Sequence, residues 1–135
     1  MTGAAERIGP LGLSVGQRAR RTKTVTAKDV ELYAEITGDR NPLHSDPEFA
    51  KKAGFNRPIL HGMGTYGLTC RGVLQTFADY DPSAFKRHIA RFSSPVFPGE
   101  TVSMDLWKDG NVVSFEARVA ARGVTVIKNG RTDLA

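Results

Sequence analysis

The sequence predicts a single domain of the α+β class. Patterns with the period of an α-helix dominate up to residue 77, and patterns with the period of a β-strand dominate after it. The chain has 135 residues, and a second self-supporting core would need more than about 80 residues of its own. We therefore expect an N-terminal arm over residues 1–18 and one domain over residues 19–135, with helices first and an antiparallel meander after them.

A strand and a short helix are expected first. Residues 19–26 are basic and short, which favours a strand at the edge of a sheet. Thr26 and Asp29 have the spacing of a helix capping box, and Gly38 is a typical helix stop. The interval between them predicts an amphipathic helix.

A second helical turn follows after a loop. Asp46 and Pro47 form a typical helix start, and Gly54 a typical end. Residues 39–45 lie between the two helices, so we expect them to form a rigid loop.

The longest helix is expected to begin at Gly62 and to continue for about four turns, on a period of about 3.6 residues. Its apolar stripe consists of Met63, Tyr66, Cys70, Val73, Leu74 and Phe77. Each internal glycine costs about 1 kcal/mol relative to alanine, so the three glycines predict that another element, such as a tightly wrapped sheet, approaches the helix closely. They are Gly64, Gly67 and Gly72.

Patterns with a period of two residues begin after a turn at residues 81–83. Four strands are expected, at residues 86–92, 102–107, 113–119 and 124–127. Asp109-Gly110 predicts a tight hairpin between the two middle strands, and Gly123 a break before the last. Asn129-Gly130 is either a second hairpin turn or a bulge.

Composition and charge exclude several classes of protein. No apolar run approaches the roughly 20 residues that a membrane span requires, and no secretory signal follows Arg7, so we expect a cytoplasmic protein. Cys70 is the single cysteine, which excludes an internal disulfide and a thiolate zinc site. The net charge of +5 favours anionic partners. Nucleic acid is not favoured, because few aromatic residues lie among the basic ones.

Asp39 and His44 are the first candidates for chemistry. A carboxylate and an imidazole held five positions apart on a proline-stiffened loop can share one water molecule, as acid–base catalysis requires. His61 and Gly62 begin seventeen residues after His44. The alternative is structural, with Asp39 and Asn41 in polar turns and His44 merely packed.

The segments around Asp39, His44 and His61 resemble the motifs of a known protein family. Asp-x-Asn-Pro-x-His at residues 39–44, followed by Ile-Leu-His-Gly-Met at residues 59–63, resembles the MaoC-like, (R)-specific enoyl-CoA hydratases, including the hydratase 2 unit of peroxisomal multifunctional enzymes. The similarity extends through residues 49–58 and 92–100 and covers most of the chain from about Val15. It implies a hotdog fold, in which an antiparallel sheet wraps a long helix, usually paired into a homodimer. This agrees with the elements predicted above.

The resemblance also implies an activity. In the family, the Asp and His of this motif activate water for syn addition across a trans-2-enoyl thioester, which gives a (3R)-hydroxyacyl product. By position these residues are Asp39 and His44, and Gly62 would contribute its backbone N–H to an oxyanion hole. Asn41 would hold the loop, with a contact to the substrate as the alternative, and His61 would support the loop or the substrate. The implied partner is an acyl-CoA, and no cofactor is implied beyond coenzyme A as the carrier of the substrate.

Further residues have weaker assignments. Cys70 stands where many single-domain relatives carry a serine; a thiol is the weaker hydrogen-bond partner, so we interpret Cys70 as part of the buried helix stripe rather than as a support for the site. The basic residues of the strand predicted at residues 86–92 are candidate contacts for the phosphates of coenzyme A or for an acyl carrier protein, with a solvated face as the alternative. They are Lys86, Arg87 and Arg91. His88 is expected to be solvated or interfacial.

Rival functions are less well supported. Residues 62–67 spell G-x-G-x-x-G, but only two apolar residues precede them where a full strand is required, so a dinucleotide site is not favoured. A metal site is not favoured either, because the sequence has no i, i+4 histidine pair. A hotdog thioesterase and a catalytically silent thioester-binding subunit remain alternatives. The set Asp39, Asn41 and His44 favours the hydratase.

Overall fold

A computed structural model describes residues 17–135. The predicted arm over residues 1–18 therefore lies almost entirely outside the described residues. Within the described range, no helix is both long enough and apolar enough to cross a membrane.

The described chain forms one five-stranded antiparallel sheet and three helices. The strands are β1 (Gln17–Thr24), β2 (Phe85–Phe92), β3 (Thr101–Asp109), β4 (Val112–Val119) and β5 (Val124–Leu134), in the spatial order β1-β3-β4-β5-β2. The helices are α1 (Ala27–Thr37), α2 (Pro47–Lys52) and α3 (Gly62–Phe77). The predicted α+β arrangement is confirmed, with a long helix packed against an antiparallel sheet and β1 at one edge.

The helix ends follow their capping residues. Thr26 Oγ1 accepts a hydrogen bond from the Asp29 N–H at 3.1 Å, and the Asp29 carboxylate accepts one from the Thr26 N–H at 2.8 Å. Gly38 ends α1 in the left-handed conformation, with φ of 77°. Asp46 caps α2 without a reciprocal bond: its carboxylate accepts hydrogen bonds from the N–H groups of Glu48 at 3.0 Å and Phe49 at 3.4 Å. Both short helices lie where the sequence predicted them.

The apolar face of α3 differs from the predicted stripe. Of that stripe, Met63 is 58% exposed, Val73 is fully buried and the other members are half-buried. The rest of the buried face consists of small residues: Gly64, Thr65, Thr69 and Gly72. Short side chains let the helix axis lie close to the sheet, so the larger apolar residues are left at its flanks. A methyl group at Gly72 would lie 2.5 Å from Met104 Sδ, as the predicted close approach requires, whereas Gly67 has no neighbour within 4 Å.

The core lies between α3 and the inner face of the sheet. The apolar positions of the predicted two-residue period on β3 and β4 are all buried: Val102, Met104, Leu106, Val113, Phe115, Ala117 and Val119. Of the polar positions between them, Asp105 and Ser114 are buried as well, so the alternation is not strict. The Asp109-Gly110 hairpin is present, with Gly110 at φ of 59°.

The last strand is longer than predicted. β5 continues past residue 127 to Leu134, and Asn129-Gly130 forms a bulge rather than a turn. Asn129 has φ of 53°, and Gly130 lies opposite Phe115, whose ring would overlap any methyl group there. Gly130 therefore lets the largest core side chain lie flat on β5.

The expectation of a solvated His88 is wrong. Its ring stacks on Phe115, with centroids 4.8 Å apart. Its two nitrogens form hydrogen bonds with the hydroxyls of Thr69 at 3.0 Å and Thr132 at 2.7 Å. Burial lowers the pKa of His88 to about 4. This histidine therefore joins α3 to the sheet as a neutral side chain.

Candidate active site

The loop after α1 is held by its own polar side chains. The Asn41 side-chain oxygen accepts a hydrogen bond from the Leu43 N–H at 3.0 Å. The Asn41 N–H donates to the Asp39 carboxylate at 3.3 Å, and residues Pro42–His44 form a 3₁₀ turn. The predicted rigid loop is confirmed, and Asn41 shapes it while Asp39 stays exposed.

His44 is fixed in one tautomer. Its Nδ1 lies 2.8 Å from the backbone oxygen of Ile59. A carbonyl oxygen can only accept a hydrogen bond, so Nδ1 carries the proton and Nε2 keeps a free lone pair. The half-buried His44 ring can therefore act as a proton acceptor through Nε2.

His61 packs behind His44. It is only 2% exposed, and its Nε2 donates to the backbone oxygen of Asp39 at 3.0 Å. Its ring stacks on His44 with centroids 3.7 Å apart and on Tyr33 with centroids 4.4 Å apart. His61 thus contacts both the loop that carries Asp39 and the ring of His44.

Tyr33 was not singled out by the sequence as a site residue. It falls in the apolar stripe of α1, and that periodic pattern predicts a core residue equally well. Only the tertiary arrangement brings its ring against His61.

Gly62 is the first residue of α3 and directly follows His61. Within residues 17–135, its backbone N–H has no hydrogen-bond acceptor, as expected for the first turn of a helix. A methyl group at this position would make ordinary contact with Phe92, at 3.8 Å. The exposed N–H therefore stands beside the histidine pair as a free donor at the positive end of the helix dipole.

Asp39 and His44 line a common cavity of about 460 Å³. Its walls come from α1, the loop after it, and the segments around residues 57 and 98; the other lining residues are Ala27, Val30, Glu31, Ala34, Arg40, Asn41, Ser45, Arg57, Pro58 and Pro98. Its two cationic residues, Arg40 and Arg57, were given no role by the sequence, although Arg57 lies within the segment that carries the resemblance. The structure thus brings Asp39, Asn41 and His44 together at one cavity.

Six predicted residues line no part of this cavity, and His61 and Gly62 are two of them. The predicted basic contacts lie exposed on β2 and line no part of this cavity; they are Lys86, Arg87 and Arg91. Cys70 is half-buried on α3 and does not line it either, and burial raises the pKa of its thiol. Both assignments stay predictions.

Asp39, His44 and His61 are also close enough together to be considered as metal ligands. One carboxylate oxygen and two ring nitrogens lie within 4.8 Å of one another. The two rings are stacked, however, with their planes inclined by only 24°. The lone pairs of stacked rings lie in two nearly parallel planes, whereas the lone pairs of metal ligands must meet at a common centre. This arrangement favours stacking over coordination, and a metal-free site stays a prediction.

Comparison with known proteins places this geometry in a family. The family described as MaoC like domain matches residues 13–130. The mouse protein named peroxisomal multifunctional enzyme type 2 is 50% identical over 103 residues, which is 76% of this chain and 14% of that protein. The chain spans less than a fifth of that relative.

Two solved structures are also similar. Full-length peroxisomal multifunctional enzyme type 2 from Drosophila melanogaster superimposes with a TM-score of 0.82 and 44% identity, over 87% of this chain and 22% of that one. An (R)-hydratase from A. caviae gives a TM-score of 0.71 and 31% identity, over 90% of this chain and 96% of that one. The fold is thus the hotdog arrangement that the sequence resemblance implied. By sequence match and by structure, the chain belongs to the family of MaoC-like dehydratase domains.

Proposed function

We propose that the chain catalyses the reversible addition of water to a trans-2-enoyl-CoA, giving a (3R)-3-hydroxyacyl-CoA. The single observation that carries this proposal is the pairing of Asp39 with His44 at one cavity, with Nε2 of His44 left free by the bond from Nδ1 to Ile59. Hydration of an enoyl thioester needs a base for water and a proton for the α-carbon, and this pair can supply both functions.

His44 acts as the base in this proposal. Its Nε2 takes a proton from water as the water oxygen bonds to the β-carbon. The Asp39 carboxylate holds the same water, receives from His44 the proton that Nε2 took from it, and passes that proton to the α-carbon, so both side chains end in the state in which they began. One water molecule thus supplies both the hydroxyl and the hydrogen from one side, so the addition is syn and leaves the enzyme in its starting protonation state.

Gly62 stabilises the charge that develops on the thioester oxygen. Its free N–H at the start of α3 donates to that oxygen while the enolate forms. Losing one donor of this kind typically costs about a hundredfold in kcat. His61, the residue before Gly62, positions the site without touching the reacting atoms.

The relatives support this assignment. The A. caviae protein is named an (R)-hydratase, and this chain covers 96% of its length. The thioesterase and the silent subunit gain no comparable support from these names. A pair that activates water would also serve a thioesterase, so the experiment below must separate the two.

The decisive experiment follows the loss of conjugated-enoyl absorbance when the purified protein meets crotonyl-CoA, with chiral analysis of the product. Wild type should give the 3R product, and both Asp39→Asn and His44→Ala should abolish turnover. Release of free thiol instead would indicate a thioesterase. Binding of crotonyl-CoA without turnover would indicate a silent subunit.

We also propose that the chain works as a homodimer through the free edge of β2. Three large apolar side chains are exposed there and at the adjoining start of α3: Met63 (58%), Phe92 (51%) and Ile89 (39%). A free strand edge flanked by apolar side chains favours pairing with another chain. Because Phe92 is the side chain nearest Gly62, such a partner would border the site.

A cytoplasmic location stays a prediction, which microscopy of a tagged chain would test.

A further inference from the structure

We propose that Arg57, assisted by Arg40, binds the phosphates of the substrate's coenzyme A at the mouth of the cavity that holds Asp39 and His44. This inference rests on the proposed function, since it assigns the end of the substrate that carries no reacting atom. It also replaces the exposed residues of β2 as the main contact for the carrier.

Arg57 is close to the catalytic pair. It lines the same cavity as Asp39 and His44, and it precedes by two residues Ile59, whose carbonyl oxygen holds His44. Two residues of extended chain span at most about 7 Å. The Arg57 side chain is exposed, so it lies at the solvent side of the cavity, where the part of a substrate that does not enter the cavity could contact it.

The guanidinium of Arg57 is already held in place. One Nη donates to the backbone oxygen of Pro98 at 2.7 Å, and the guanidinium carbon lies 4.7 Å from the centre of the Phe97 ring. A planar guanidinium fixed by a ring and a carbonyl loses little freedom when it binds an anion. This fixed geometry favours a binding role over one in solubility alone, because solubility does not depend on the Phe97 ring or the Pro98 carbonyl holding the guanidinium.

Glu100 lies near Arg57, and the pKa of its carboxyl is lowered mainly by the hydrogen bonds from Arg122 and least by the charge of Arg57. The carboxylate near it, that of Glu100, is taken by two N–H groups of Arg122, with the longer bond at 2.9 Å, and by the Phe97 N–H at 2.8 Å. Over residues 17–135, no carboxylate forms a salt bridge with Arg57. Its remaining N–H donors are therefore available to a ligand.

Phosphate is the anion that these donors fit. A guanidinium presents paired N–H groups that match two phosphate oxygens, and coenzyme A carries a diphosphate at the far end of its pantetheine arm. Arg40 adds a second exposed cation on the same cavity, directly after Asp39 in the chain. Glu31 and Asp39 also line the cavity, so its two arginines are matched by two carboxylates in formal charge. Neither carboxylate forms a salt bridge with Arg57, which is why we assign the phosphate to Arg57 first.

The test compares three crotonyl thioesters in steady-state kinetics: the coenzyme A ester, the 4′-phosphopantetheine ester and the pantetheine ester, which has no phosphate. For Arg57→Gln we expect KM for crotonyl-CoA to rise about tenfold, as for the loss of one charge-assisted hydrogen bond, with kcat unchanged. KM for the pantetheine ester should not change. The 4′-phosphopantetheine ester carries one phosphate, the group also present on carrier proteins. It shows whether one phosphate is enough for KM to depend on Arg57.

Arg118→Gln is the matched control, because Arg118 is an exposed arginine on β4 that lines no part of this cavity. An equal rise in KM for the pantetheine ester would overturn the proposal, since Arg57 would then act on the site rather than on phosphate. An unchanged KM for Arg57→Gln, or a rise confined to a triple variant of Lys86, Arg87 and Arg91, would also overturn it.

Calorimetric titration with free coenzyme A separates this inference from the proposed function. Weaker binding to Arg57→Gln than to wild type, by about tenfold in Kd, supports the phosphate site even if crotonyl-CoA is not hydrated. Equal binding to the two proteins contradicts it even if hydration proceeds.

Discussion

His44 and His61 stack ring on ring, with centroids 3.7 Å apart and planes inclined by 24°. Each ring also donates one N–H to a backbone oxygen, His44 to Ile59 and His61 to Asp39. The stacked pair therefore links the two sides of the proposed catalytic site, because His61 contacts the loop of Asp39 on one side and the proposed base on the other.

His61→Phe tests this link. Phenylalanine keeps a ring of similar size against His44 and Tyr33 but cannot donate to Asp39. We expect kcat to fall about tenfold to a hundredfold, since a misplaced catalytic group is costly, with a small change in melting temperature. An unchanged kcat in a folded variant would mean that His61 only fills space.

His88 predicts a pH-dependent stability. Its pKa is lowered to about 4 in the folded chain from an ordinary value of 6.5, so the unfolded chain binds more protons between these values. The free energy of unfolding should therefore be constant above about pH 6.5 and fall as the pH drops toward 4. Urea titrations from pH 4 to 8 measure this loss. His88→Gln should be less stable at pH 7 but lose less on acidification; an equal slope in the two proteins would assign the effect to other groups.

Gly130→Ala should be strongly destabilising. The added methyl group would overlap the ring of Phe115, which is fully buried and cannot move aside. Overpacking of this kind costs about 3 kcal/mol, measured by urea or thermal unfolding. Gly67→Ala is the control, because Gly67 is exposed in α3 with open space around it. That change should stabilise the chain by up to about 1 kcal/mol; similar effects at both positions would contradict the described packing.

Phe92→Asp should favour the monomer. A carboxylate within the proposed apolar contact would have to be buried unpaired in the dimer. Light scattering after gel filtration should give one chain mass for this variant and two for wild type. Ile36→Asp is the matched control, because Ile36 is 81% exposed but lies on α1. A wild-type chain that is monomeric at micromolar concentration would end the dimer proposal.

The local elements were predictable because their signals are local. The capping box at Thr26, the stop at Gly38 and the hairpin at Gly110 depend on neighbours a few residues away, and all three lie where expected. The alternation of apolar and polar residues on β3 and β4 was equally predictable, because the apolar residues of each strand share one buried face.

Contacts between distant segments were harder to predict. The buried face of α3 depends on how closely the sheet approaches, so the apolar stripe misplaced Met63. The bulge at Gly130 depends on Phe115, which is remote in sequence. At the site, the motif identified Asp39 and His44, but the roles of Tyr33 and Arg57 depend on what folds against them.

The bonds that set the two histidine tautomers end on carbonyl oxygens of the main chain, at Ile59 and Asp39. A substitution at residue 59 or residue 39 changes the side chain but leaves the backbone oxygen that accepts the hydrogen bond. Asp39→Asn is for this reason a clean chemical probe: it alters the carboxylate while the oxygen that orients His61 persists. The path of the backbone, and not the identity of the surrounding side chains, thus determines which ring nitrogen of each histidine carries the proton.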